Sequence, residues 1–106
     1  MAKSVVVVFA GGGGSASWTP DADVTLTGAY VESGGTVDVA LSTDPSLDVN
    51  NVFPPGISVY TQLIALLSLI AQPGFRTLDA PVLAGESVYF SADSSCIVQL
   101  TYRDQL

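Results

Sequence analysis

Short segments in which apolar and polar residues alternate, divided by turn residues, recur along this chain and commit it to a mainly β fold. Asp23 to Thr27 sets Val24 and Leu26 on one face and Asp23, Thr25 and Thr27 on the other. Thr36 to Ser42 repeats the pattern, with Val37, Val39 and Leu41 opposed to Thr36, Asp38 and Ala40. A period of two is the mark of a strand buried on one side. Ser87 to Ser91, with Val88 and Phe90 opposed to Tyr89, reads the same way, and Cys96 to Tyr102 and Phe75 to Leu78 add two more strands. Ala84-Gly85-Glu86 and Asp93-Ser94-Ser95 are turns between them. Strands spaced by roughly 8–12 residues with such turns predict a small antiparallel β-sandwich or jelly roll. A length of 106 residues suits one domain.

Gly28 interrupts the strand that begins at Asp23 and marks a bulge. Gly34-Gly35 is read as the turn of a hairpin joining Asp23–Val31 to Thr36–Ser42, since a type I′ turn needs positive φ at both centres. Ser4 to Phe9 is a further strand; its run Val5, Val6, Val7, Val8, Phe9 leaves no polar face, so it is either central or paired with a neighbouring chain. Gly11 to Gly14, with Ser15, has the composition of a flexible linker. It is a long loop, the hinge of an N-terminal arm that docks elsewhere, or an engineered spacer. The domain reading is therefore an arm and linker over 1–14 and a sandwich body over 15–106. Thr43 to Gly56, rich in Pro, Asp and Asn, is a loop.

Ile57 to Ala71 carries the one helical pattern. Val59, Leu63, Leu66, Leu67 and Ile70 recur at helical spacing, and Pro73-Gly74 ends the segment. The expectation is one short apolar helix over about 57–71, with a strand pair as the competing reading because the segment is apolar nearly all round. It is too short to span a bilayer, which takes about 20 apolar residues. The N-terminal apolar run is also too short for a secretory signal.

Composition removes most chemistry. Three Lys and Arg against ten Asp and Glu give a net charge of −7, too few cations to neutralise a run of phosphates. There is no histidine, the commonest residue of acid–base and zinc sites. Cys96 is the single cysteine, with no disulfide partner and no imidazole to activate it; it reads as a buried structural thiol. Asp21 and Asp23 are the nearest approach to a carboxylate pair, but they read as turn residues. Asp48-Val49-Asn50-Asn51 offers oxygen ligands without an EF-hand's spacing. Gly11 to Gly14 lacks the Gly-Lys-Ser/Thr of a phosphate loop. The expectation is a protein that is not an enzyme and takes no cofactor, nucleic acid or membrane.

Surface chemistry remains. Ser and Thr together supply 20 residues, while only 12% of the chain is charged. Low charge with retained aromatics is the composition of an interface core. Two segments supply the candidate contacts: Val5, Val6, Val7, Val8 and Phe9, expected to add as a strand to a neighbouring subunit, and Leu63, Leu66, Leu67 and Ile70, expected on one helix face.

Trp18-Thr19-Pro20, Asp23 to Tyr30, Gly34 to Val37 and Ala40 to Pro45 resemble small phage virion proteins, as do Pro81 to Phe90 and the final Leu100-Thr101-Tyr102. Such strand–turn–strand pairs occur in head decoration, or cement, proteins and in tail-fibre modules. The apolar segment 57–71 has no counterpart in that pattern. The resemblance implies a non-enzymatic oligomer, often a trimer, bound to the major capsid protein on the outer surface of the virion. The rival reading is a carbohydrate- or receptor-binding β-sandwich module, for which Trp18, Tyr30, Tyr60, Tyr89 and Tyr102 are the candidate aromatics.

Overall fold

The computed structural model describes residues 3–33, 35–43, 45, 47, 63–70 and 74–105. Eight strands follow one another: β1 Lys3–Phe9, β2 Gly14–Trp18, β3 Val24–Glu32, β4 Thr36–Ser42, β5 Leu63–Ile70, β6 Gly74–Val82, β7 Val88–Ala92 and β8 Cys96–Asp104. They form two four-stranded antiparallel sheets, ordered β1-β8-β3-β6 and β2-β7-β4-β5. Every connection except that from β4 to β5 passes from one sheet to the other. This is the double-sheet jelly roll.

β3, β4 and β7 bury the faces that their alternation nominates. Val24, Leu26, Ala29 and Val31 of β3 meet Val37, Val39 and Leu41 of β4, with Val88, Phe90, Val98 and Leu100, in one continuous core between the sheets. The buried residues of β3 shift from even to odd numbers across Gly28, where its register to both β6 and β8 slips. The expected bulge is there, and it turns the apolar face back to the core after one extra residue. Gly28 is needed for a second reason. A Cβ at this position would stand 2.7 Å from the Phe75 ring and 2.9 Å from Thr101 Oγ1.

Three expectations are corrected. The helix over 57–71 is not formed: residues 63–70 are strand, the outermost of its sheet and paired antiparallel with β4. Residues 57–62 and 71 lie outside those described. In a stretch apolar at nearly every position, helical and strand periods both find matches, so spacing does not choose between them. The choice falls to β4, whose open side takes a strand.

The hairpin over Gly34-Gly35 is the second. β4 has the bounds the alternation predicts and β3 is shifted from them by one residue, but they lie in different sheets. β3 is flanked by β6 and β8, and β4 by β5 and β7. Alternation identifies which face a strand buries, not which strand lies beside it. The chain here arches from one sheet to the other, so both apolar faces meet across the core. Gly34 is outside the described residues.

The third concerns the glycines. Gly13 N–H donates to Ala10 O at 3.0 Å, and Gly12 has φ of +88°, the positive value that the third position of a type II turn demands. Gly13 is also left-handed, at φ +76°. A Cβ there would overlap the Ala92 carbonyl and sit 2.7 Å from Ser94 N. The segment is a tight crossover that seats against the end of β7, and Gly14 already belongs to β2. Residues 3–14 are thus built into the sandwich, with Phe9 in its core.

Candidate interaction surface

The valine run divides by the period of its strand. Val5 and Val7 pack against the core and Phe9 is buried, whereas Val6 and Val8 are 56% and 70% exposed. β1 pairs along its whole length with β8, from Lys3 opposite Tyr102 to Phe9 opposite Cys96. It is an edge strand, so the expectation that the run has no solvent face holds only for composition.

The register extends the exposed side of β1 across the sheet. Val8 lies opposite Ile97, itself 43% exposed, and Ile97 opposite Glu32. One row further, Val6, Gln99, Tyr30 and Phe75 follow in order, with Phe75 62% exposed over Gly28. Val6, Val8, Ile97 and Phe75 therefore give the outer face of β1-β8-β3-β6 an apolar band whose only charged member among the described residues is Glu32. Single exposed apolar residues are ordinary; a band aligned by register is a surface that association would cover. Where β1 and β8 meet the end of β3, Val8, Phe9, Glu32, Ser33, Cys96 and Ile97 line an open depression of about 370 Å³.

Leu63, Leu66, Leu67 and Ile70 are on a strand, not a helix. They lie along β5, opposite Ser42, Ala40, Val39 and Thr36 respectively.

The groups with chemical potential have structural duties. Asp23 Oδ1 accepts the Ala84 N–H at 2.9 Å and so ties the turn after β6 to the start of β3. Asp93 Oδ1 accepts the Asp38 N–H at 2.8 Å, and the Asp93 N–H returns to Asp38 O at 3.2 Å, linking the crossover after β7 to β4. Cys96 is buried, and burial, followed by the nearby charge of Asp93, pushes its thiol pKa up. Among the described residues no group of three His, Cys, Asp or Glu side chains could hold a metal ion. The Asp48–Asn51 ligand set lies outside them.

The aromatics of the rival reading are dispersed. Trp18 and Tyr102 meet with ring centroids 4.7 Å apart and planes tilted by 44°, closing one side of the sandwich against the core. Lys3, Asp21 and Asp104 adjoin them in a cleft of about 270 Å³, where Lys3 Nζ and Asp104 are 3.1 Å apart. Their tilted rings rest on each other and on the core, so they offer no flat stacking platform. Tyr30 is on the outer band, Tyr89 on β7, and Tyr60 outside the described residues.

No protein-family model matches the sequence, and no curated protein matches it. Solved structures do resemble the fold. The nucleoplasmin-like N-terminal domain of Drosophila FKBP39 is 13% identical, with 100% of this chain and 92% of that one aligned at a TM-score of 0.56. The Drosophila NLP-core is also 13% identical, over 96% of this chain and 99% of that one, at 0.53. The capsid of Helicobacter pylori bacteriophage KHP30 is 8% identical, over 94% and 92%, at a TM-score of 0.43, too distant to bear on the argument. At these identities the likeness is one of architecture: this chain is an antiparallel β-sandwich of the kind those domains share.

Proposed function

We propose that this chain is a non-enzymatic structural protein that works as an oligomer on a larger assembly, as a decoration protein on the outer surface of a phage capsid. The observation that carries a binding role is the exposed band of Val6, Val8, Ile97 and Phe75 on a molecule of net charge −7. Water-exposed apolar area of this kind stabilises a contact at about 25 cal/mol per Å² removed from water. The NLP-core structure is described in terms of pentamer formation, so self-association is compatible with this fold. The capsid itself comes from the virion-protein resemblance of the strand–turn–strand segments, which also implies the major capsid protein as partner.

A protein that binds the assembled lattice and not the free subunit shifts the equilibrium toward the assembled shell. Repeated copies multiply weak single contacts. The test is co-sedimentation of the purified protein with intact virions, with Phe75→Ser and Ile97→Ser as variants on the exposed band. The reading expects saturable binding by the parent protein, reduced in both variants. Absence of the parent from the virion pellet at every concentration would refute it.

A further inference from the structure

The free edge of β1 supports an inference about self-association that needs no capsid. Along an antiparallel edge strand, every second residue turns its N–H and C=O away from its one neighbour. No described strand lies on that side of β1. Such edges are ordinarily blunted by charge, by proline or by shortness. The opposite edge, β6, carries Arg76, Asp79 and Pro81. In the second sheet, the β2 edge has only five residues. β1 has seven and carries a single charge, Lys3 at its extreme end, which is occupied by Asp104 at 3.1 Å. Two molecules of net charge −7 repel each other, and β1 contains no acidic residue. β5 is likewise an uncharged edge; β1 combines its free edge with Val6 and Val8 open to solvent.

We propose that β1 pairs antiparallel with β1 of a second copy across a two-fold axis at Val6. The register follows from the strand itself. Full overlap of Lys3–Phe9 sets Val6 against the second copy's Val6 and Ser4 against the second copy's Val8. Residues of equal parity then meet, so the exposed residues stay on the outer face and Val5, Val7 and Phe9 stay over the two cores. The two β1-β8-β3-β6 sheets become continuous, and the apolar bands of both copies join at the seam through Val6, Val8 and Ile97. A self-complementary two-fold contact is the commonest way for a soluble chain to associate.

The wild-type protein should sediment at twice its 10.9 kDa mass at micromolar concentrations. Val6→Cys, oxidised mildly, should give covalent dimers, because directly opposed residues have Cβ atoms about 4.5–5.5 Å apart. A mixture of Ser4→Cys and Val8→Cys should cross-link as a heterodimer more readily than either alone. Val6→Lys places two ammonium groups at the axis and should weaken the dimer at least about tenfold while leaving the circular dichroism spectrum unchanged, since Val6 is exposed. A wild-type monomer at millimolar concentration, an oligomer of three or five chains untouched by Val6→Lys, or the absence of a Val6→Cys cross-link would overturn the two-fold. Capsid binding is read separately: a Phe75→Ser protein, altered on β6 at the opposite edge of the sheet, that still dimerises through β1 but no longer pellets with virions would separate the two ideas.

Discussion

Gly13 shows how much can rest on a single missing side chain. Its left-handed backbone alone costs an L-residue about 1–2 kcal/mol. Any Cβ must in addition displace the backbone of Ala92 and Ser94, which cannot rotate aside. Gly13→Ala is expected to lower the thermal midpoint sharply or prevent folding. Gly11→Ala, with open space around it and no positive φ, should leave the midpoint unchanged. Four consecutive glycines look alike in the sequence; contact with a strand some 80 residues on distinguishes them.

Cys96 makes a second residue-scale test. Burial raises the pKa of its thiol in the folded protein above that of the unfolded chain. Between those two values the unfolded state gives up its proton while the folded state keeps it. Stability from this group is therefore complete below the unfolded thiol's pKa and falls as pH rises through the interval above it. Alkaline unfolding curves should show this decline, and Cys96→Ala should remove it. Alkylation of the native protein at pH 7–8 should be slow, and fast once denaturant is added.

At the scale of the element, β1 can be tested by its own parity. Val7 packs on the core and Val8 does not. Val7→Ala removes two half-buried methylene equivalents and should cost about 1 kcal/mol in denaturant titrations. Val8→Ala should fall within about 0.5 kcal/mol of the parent, measured where the protein is monomeric. Equal effects would mean that β1 is buried on both sides. β3 was the most readable element: Val24, Leu26 and the break at Gly28 announced both the buried face and the bulge. β5 was the least, because Leu63 to Ile70 has no polar residue except Ser68 to reveal a period. Its strand identity is fixed by the open side of β4.

For the whole molecule, charge and fold act on different quantities. A net charge of −7 opposes the meeting of two copies, and salt screens that repulsion over a Debye length of about 10 Å at 0.1 M. Association through β1 should therefore strengthen as ionic strength rises, seen as an increase in sedimentation-average mass. A contact held by ion pairs would weaken instead. Near the isoelectric point of about 4.1 the repulsion vanishes, and solubility should pass through a minimum.

The sequence by itself determined the β class, most strand bounds and which side of β3, β4 and β7 faces inward, because those follow from local alternation and from turn residues. It also determined the charge-poor surface and the lack of histidine chemistry. Only the tertiary structure decided that β3 and β4 stand in opposite sheets, that Gly13 seats against the end of β7, and that Val6 and Val8 join Ile97 and Phe75 in one outward band. These are pairings between residues far apart in the chain, and local periodicity contains no term for which strand lies beside which.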